Sequence, residues 1–262
     1  MNLELIGKTA LISGSTKGIG FAIASQLAAE GVRVIVNGRS DQSVNSALEQ
    51  VRKAVAEAKV EGFAGDLATT AATEELLKRV PAVDILVNNL GIYEPKPFDA
   101  LSDEDWHHIF EVNVLSGVRL SRGYISGMKQ RNWGRIIFIS SESGIFTPKE
   151  MVHYGMTKTA QLAVSRGLAE YCGGTGVTVN SILPGPTHSA GFEDFVAPFR
   201  GGASFEDFEK EFFKSVRPSS LLKRFETPDE VARLVTFVCS PVASAINGAA
   251  LRVDGGVVSS CF

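Results

Sequence analysis

Short β-branched, apolar runs alternate with longer segments of helical period along the whole chain, and this alternation limits the fold more than any other feature. Thr9–Ser13, Arg33–Asn37, Asp84–Asn89, Arg135–Ser140, Thr178–Leu183 and Ala250–Asp254 read as strands, with the less apolar Glu61–Gly65 as a further one. The runs are continuously apolar rather than alternating with polar residues, so both faces of each strand must be covered. Strands of that kind separated by helices predict an α/β fold, a doubly wound Rossmann-type parallel sheet with helices on both faces.

The intervening segments carry helix signals. Val44, Leu48, Val51 and Val55 fall at helical spacing, Ser102 is placed to cap a helix running through Trp106, Phe110 and Val114, and Thr227–Glu230 has the form of a capping box with Pro228 at the first helical position. No linker, repeat or low-complexity tract interrupts the pattern. The 262 residues are expected to form one domain, 1–262, with a helical lid insertion at about 186–225.

Composition narrows the function classes. The net charge is −3 with both signs interspersed, so no basic footprint for nucleic acid or a membrane surface is present. The 3 cysteines, Cys172, Cys239 and Cys261, lack the spacing of a zinc site or disulfide framework, and no metal is expected. With no signal-like start and no apolar run of membrane length, the expected location is cytoplasmic.

The turn after the first strand reads SGSTKGIG, Ser13–Gly20. Gly14, Gly18 and Gly20 allow a tight turn and close approach of the backbone to a pyrophosphate, at the N-terminus of the helix that follows. An acid at the end of the second strand would bind the ribose 2′-hydroxyl of NAD(H). The sequence there is VNGRS: Gly38 stands in the acid's place, Arg39 follows it, and Lys17 projects from the glycine turn. Two cations and no carboxylate suit a 2′-phosphate, hence NADP(H) over NAD(H).

Eight motifs fall in order: SGSTKGIG (13–20), GDL (65–67), NNLG (88–91), VNV (112–114), ISSESG (139–144), YGMTK (154–158), PGPTHS (184–189) and VDGG (253–256). With them the chain resembles the short-chain dehydrogenase/reductase family over essentially its whole length. The resemblance implies a seven-stranded sheet and a cofactor site drawing on Gly14, Ser15, Lys17, Gly18, Ile19, Gly20 and Arg39. Asp66 and Leu67 would sit at the adenine, with Asn89 and Gly91 lining the cofactor beyond the fourth strand. Pro184, Gly185, Thr187 and Ser189 would cover the nicotinamide, with the carboxamide falling to Thr187 or Ser189. Leu90 departs from the usual alanine, and Ser13 from the usual threonine, whose hydroxyl role at the backbone serine can fill.

The same resemblance implies a catalytic set of Asn113, Ser141, Tyr154 and Lys158, with Tyr154 and Lys158 also contacting cofactor. Ser141 is preferred to Ser140 by its interval of thirteen residues to Tyr154. Carbonyl reduction needs a proton donor, and a free phenol titrates near about 10. A lysine one turn along is expected to favour phenolate. Ser141 would hold the substrate oxygen and Asn113 would position a relay water. His153 and His188 lack metal spacing and read as local hydrogen-bonders.

The implied activity is hydride transfer between NADP(H) and a carbonyl or secondary alcohol, a ketone or 3-oxoacyl-type compound. The alternatives are a non-catalytic NADP(H)-binding regulator and a lyase or epimerase on the same scaffold. Phe192, Phe195 and Phe199, then Phe205, Phe208 and Phe212, repeat at helical spacing around Gly201 and Gly202. They are expected either to cover local core or to form the apolar inner wall of a lid, giving an at least partly apolar small-molecule substrate. Homologous chains commonly pair through two long helices, here about 102–131 and 153–171, so a homo-dimer or homo-tetramer is expected.

Overall fold

The computed structural model describes residues 1–189, 192, 196 and 203–261. Strands β1 (Thr9–Ile12), β2 (Arg33–Gly38), β3 (Val60–Ala64), β4 (Ile85–Asn88), β5 (Gly134–Ile139), β6 (Val177–Pro184) and β7 (Ala250–Val253) form one parallel sheet of order β3-β2-β1-β4-β5-β6-β7. The doubly wound fold is therefore as expected.

Side chains alternate between two cores because successive strand residues face opposite sides of the sheet. Ala10, Ile12, Val34, Val36, Ile85, Val87, Ile137 and Ile139 enter one apolar cluster. Helices α1 (Gly18–Ala29), α2 (Asp41–Ala54) and, late in the chain, Pro228–Val238 cover that face. Leu11, Ile35, Leu86, Ile136 and Phe138 enter the other cluster. There they meet α3 (Thr70–Arg79), α5 (Ser116–Gln130) and α6 (Val152–Tyr171).

The capping signals hold. Ser102 and Asp105 form a capping box at the start of α4 (Asp103–Phe110), and Thr227 with Glu230 forms another at the helix beginning with Pro228. Val55, in contrast, is the C-cap of α2 rather than part of its buried stripe. The helix expected at 102–131 is not uniform: α4 passes into a π turn, Glu111–Leu115, before α5. The π turn contains Asn113, and such insertions free backbone groups from the regular ladder.

Helix α7 (Phe205–Ser215) and α8 (Pro228–Val238) follow β6. Among the described part of the 186–225 segment, Phe205, Phe208 and Phe212 lie on one side of α7 and are half-buried, while Phe213, outside the expected stripe, is its buried residue. Phe208, Phe212 and Phe213 gather around the buried ring of Phe225, with centroids 6.3, 4.9 and 5.0 Å away. Phe195, Phe199, Gly201 and Gly202 lie outside the described residues. No helix among the described residues is long and apolar enough to cross a membrane, and no cluster of metal-ligating side chains occurs among them.

Candidate active site

The sheet order reverses between β1 and β4, and the loops leaving the carboxyl ends of these strands open the crevice where ligands bind in folds of this type. The glycine turn sits there, with Gly14 and Gly18 at φ 61° and 62°. Neighbouring chain fixes its path. Ser13 Oγ accepts from the backbone N–H groups of Asn89 and Leu90, both at 3.0 Å, so it does serve the backbone. Asn89 Nδ2 donates to the carbonyls of Ser13 and Gly14 at 3.0 and 2.9 Å. Gly20 must lack a side chain, since a Cβ would lie 2.5 Å from Asn89 Nδ2.

One expectation changes here. Ser15 is fully buried, its hydroxyl donating to Ile12 O at 2.7 Å and accepting from Asn37 N at 2.9 Å. Its N–H donates to Asn37 O at 2.8 Å, so Ser15 holds the turn and turns no side-chain group toward a ligand. Asn37, unremarked in the sequence, is the clamp: Oδ1 accepts from Gly14 N at 3.0 Å while Nδ2 donates to Phe63 O and Gly65 O at 3.2 and 3.0 Å. One buried amide thus locks the turn to β2 and β3.

Lys17, Gly38, Arg39, Asp66 and Leu67 line a single cavity of about 630 Å³. Lys17 and Arg39 are exposed at its rim. A Cβ on Gly38 would lie 2.4 Å from Thr16 Cγ2, so the neighbouring threonine already fills the place an acid would need. A second cavity, of about 250 Å³, contains Ser141, Tyr154, Lys158, Gly185, Thr187 and Ser189. Ile19, Asn89 and Pro184 also face it, and Gly91 belongs to both cavities. The two spaces meet at Gly91, giving an elongated groove with a cationic rim at one end and the tyrosine at the other.

At that second end Lys158 is buried and its Nζ donates to Ile139 O at 2.9 Å, 5.5 Å from the Tyr154 ring centroid. Ser140 Oγ donates to Lys158 O at 2.8 Å, so its hydroxyl serves helix α6, and both Ser140 and Ser141 line the cavity. Ser141 Oγ donates to the Glu142 carboxylate and accepts from Ser143 N at 3.1 Å. Asn113 lies behind Gly91, where a Cβ would be 3.5 Å from both Asn113 Oδ1 and Lys158 Nζ.

Electrostatics run against the expected direction. Burial, followed by the Glu142 carboxylate, pushes the Tyr154 phenol up, and the Ser141 hydrogen bond only partly opposes them. Burial lowers Lys158 to about 8, with Glu142 opposing. In the ligand-free protein the tyrosine is held protonated rather than drawn toward phenolate.

Asn113 also differs from expectation. Its amide exchanges hydrogen bonds with the backbone of Ile92, at 2.8 and 2.9 Å, and donates to Thr157 Oγ1 at 3.0 Å. Its backbone carbonyl accepts from Gln161 Nε2 at 2.6 Å. The side chain therefore pins the loop after β4 to α6, with no amide donor left for a relay water.

Ser189 Oγ accepts from Phe192 N at 3.3 Å, and Thr187 Oγ1 donates to Gly185 O at 2.9 Å, so both hydroxyls border the groove and neither is singled out. His188 stacks on Phe205 at 4.2 Å. His153 packs edge-on to Trp106, with Nδ1 buried and unpartnered.

Three residues escaped the sequence reading. Tyr93 meets Tyr154 edge to face at 6.1 Å. Arg217, just beyond α7, reaches back to Glu142 as a buried ion pair at 3.3 Å. Glu226 accepts from Gly185 N at 3.2 Å with its other oxygen buried and unpaired, and burial raises it to about 8. The wall is therefore mixed: Ser141, Glu142 and Arg217 are polar, while Tyr93, Met151 and Phe212 are largely apolar. Through Met151 and Phe212 the space adjoins an apolar groove of about 780 Å³ that includes Phe146, Phe208 and Val216.

The sequence profile described as Enoyl-(Acyl carrier protein) reductase matches residues 14–258. The chain belongs to the short-chain dehydrogenase/reductase family. It is 49% identical to Uncharacterized oxidoreductase YvaG of Bacillus subtilis, over 100% of both chains. It is 32% identical to the 3-oxoacyl-[acyl-carrier-protein] reductase FabG of Aquifex aeolicus, over 98% of this chain and 100% of the relative. Among solved structures it resembles L-sorbose reductase from Gluconobacter frateurii complexed with NADPH and L-sorbose, with TM-score 0.92 and 29% identity over 99% and 100% of the two chains. As a short-chain dehydrogenase/reductase it is an oxidoreductase by family.

Proposed function

We propose that this short-chain dehydrogenase/reductase transfers hydride between NADP(H) and a ketone or the corresponding secondary alcohol. The observation that carries the reading is the meeting of Ser141, Tyr154 and Lys158 at one end of a groove whose other end is rimmed by Lys17 and Arg39. The groove fits a dinucleotide: glycines line it where the backbone must come close, and Thr16 rather than an acid stands beside Gly38. A bound nicotinamide supplies or accepts the hydride.

The chain's own groups do the rest. Lys17 and Arg39 hold the 2′-phosphate, Asp66 the adenine and Lys158 the nicotinamide ribose. Thr187 and Ser189 border the carboxamide. Tyr154, protonated by virtue of its burial, gives its proton to the substrate oxygen during reduction. Ser141 holds that oxygen beside the phenol. Asn113 acts by fixing Ile92 and the adjoining Gly91 against α6.

The NADPH complex of the L-sorbose reductase supports the cofactor choice, and the FabG relatives support a carbonyl substrate. The apolar groove beyond Phe212 leaves room for an apolar substituent. The described part of the 186–225 segment, with Phe212 and Arg217 on the cavity wall, belongs to this reading as a cover of the substrate space. Assembly as a homo-oligomer through α4–α5 and α6 is part of it too, since Ala163 and Gly167 are exposed on α6 and would let a second copy approach closely.

The test is a turnover screen with NADPH against ketones, oxoacyl thioesters, quinones and sugars, read by loss of reduced-nicotinamide absorbance. NADPH consumption that depends on a carbonyl compound is the expected result. Tight NADPH binding with no turnover of any class would instead leave a regulator, and substrate conversion without net cofactor change a lyase or epimerase.

A further inference from the structure

Glu142 is buried beside Ser141 and shares its cavity, yet no step above uses it. One carboxylate oxygen accepts from Ser141 Oγ and the other from Arg217 Nε at 3.3 Å. Arg217 is itself buried and lies 3.7 Å from Glu150, so two carboxylates surround one guanidinium. Two physical consequences follow.

The first is a conflict over a proton. A serine hydroxyl has one proton to donate. Ser141 gives it to Glu142 and accepts from Ser143 N–H, so in its contact with the Tyr154 hydroxyl it can only accept. A substrate carbonyl oxygen, which only accepts, therefore competes with Glu142 for that proton. A hydroxyl on the carbon next to the carbonyl removes the conflict, because it donates to Glu142 in the serine's place and releases Ser141 toward the carbonyl oxygen. The Arg217 Nη2 group, which makes no hydrogen bond among the described residues, can donate to the same hydroxyl. The second consequence is electrostatic. Arg217 is already matched by Glu142 and Glu150, so it offers an incoming carboxylate no uncompensated positive charge.

We propose that Glu142, with Arg217, is a specificity-determining pair that selects α-hydroxy ketones, and the vicinal diols they form, over plain ketones and 2-oxo acids. The proposal rests on the carbonyl-reductase reading above. A site built to bond a substrate hydroxyl rejects the analogue lacking it, because buried polar groups are left unpaired.

Hydroxyacetone, butanone and pyruvate share the CH₃–CO frame and differ only in carrying CH₂OH, CH₂CH₃ or carboxylate; the same trio can be built on longer alkyl frames. In steady-state reduction with NADPH, the parent should favour the hydroxy ketone by about 10- to 100-fold in kcat/KM over either partner. Glu142→Gln should lower that ratio at least about tenfold, chiefly by losing hydroxy ketone turnover, and should improve the oxo acid by leaving Arg217 with Glu150 as its one remaining carboxylate. Because Glu142→Gln leaves the buried guanidinium with only the half-exposed Glu150 beside it, the pair Glu142→Leu with Arg217→Met serves as the second variant, since apolar replacement of a whole buried ion pair is usually tolerated. With its fold checked by circular dichroism, it should prefer the plain ketone.

Equal or better use of the plain ketone by the parent overturns the proposal, as does a hydroxy-to-plain ratio unchanged in both variants. Turnover of another carbonyl class with none of the three series accepted also overturns it and leaves carbonyl reduction standing. No turnover of any carbonyl class would instead sink the broader reading, and this one with it.

Discussion

Gln161 on α6 donates through Nε2 to the backbone carbonyl of Asn113 at 2.6 Å, bridging the long helix that carries Tyr154 and Lys158 to the π turn of its neighbour. Both residues are buried, at 1% exposure. Gln161→Leu would keep the volume and strand the Asn113 carbonyl. The expected cost is about 1–3 kcal/mol of stability, measurable as a lower denaturation midpoint with an unchanged denaturant slope. A midpoint equal to the parent's would show that the bridge contributes nothing.

Tyr154→Phe keeps the ring against Tyr93 and removes the proton-bearing oxygen. Ketone reduction should fall roughly 10²–10⁴-fold, with NADPH affinity little changed. Since burial holds the phenol protonated, the parent's reduction rate should persist into alkaline pH, whereas alcohol oxidation, which needs phenolate, should climb as pH rises. Pre-steady-state rates in both directions across pH check the sign. Lys158→Ala should harm both turnover and cofactor binding.

Arg39→Ala should narrow the preference for NADPH over NADH by about tenfold or more, as titration by fluorescence would record. The reverse switch is harder than an acid at the strand end. Gly38→Asp alone would press its Cβ on Thr16 Cγ2, 2.4 Å away, and should unsettle the turn without producing good NADH binding. Gly38→Asp combined with Thr16→Ala removes that collision and should favour NADH. If the single variant binds NADH as well as the double one, Thr16 is not the obstacle.

Glu226 gives a pH signature to stability. Its folded value, about 8, lies above the ordinary 4.5, chiefly through burial, so the folded chain holds this proton more tightly than the unfolded chain. The stabilisation linked to it is complete below about 4.5 and is lost as the pH rises toward about 8. Within that window the slope reaches about 1.4 kcal/mol per pH unit for one proton. Urea unfolding at intervals across the window should show stability falling with pH in the parent and a flatter course in Glu226→Gln. Parallel curves for the two proteins would remove Glu226 from the account.

The sheet was legible in the sequence because its central strands are apolar on both sides, and Val34, Ile35 and Val36 show why: alternate residues enter opposite cores. Tyr154, Lys158 and Ser141 were legible because the motif intervals survive intact. What could not be read locally were partners brought together across the chain. Arg217 meets Glu142 from 75 residues away, and Asn37 reaches the glycine turn from 23. The direction of the Tyr154 shift was misread for a related reason: a lysine one turn along is visible in sequence, whereas the burial that outweighs it and the carboxylate of Glu142 are properties of the assembled cavity. The π turn at Glu111–Leu115 left no signal in a segment whose composition is ordinarily helical.

Gly185 lies between Glu226 and Asp254: an added Cβ there would approach Glu226 Oε1 to 2.7 Å and Asp254 Cα to 2.8 Å. The groove thus unites Gly14 with Gly185, Glu226 and Asp254, which the ribosome adds much later. A chain still emerging from the ribosome has the glycine turn but not the clamp that seats Gly185. Any stabilisation that dinucleotide binding lends to the native state is accordingly unavailable until the final strand has been released and paired. Until then the nascent protein depends on its apolar cores alone.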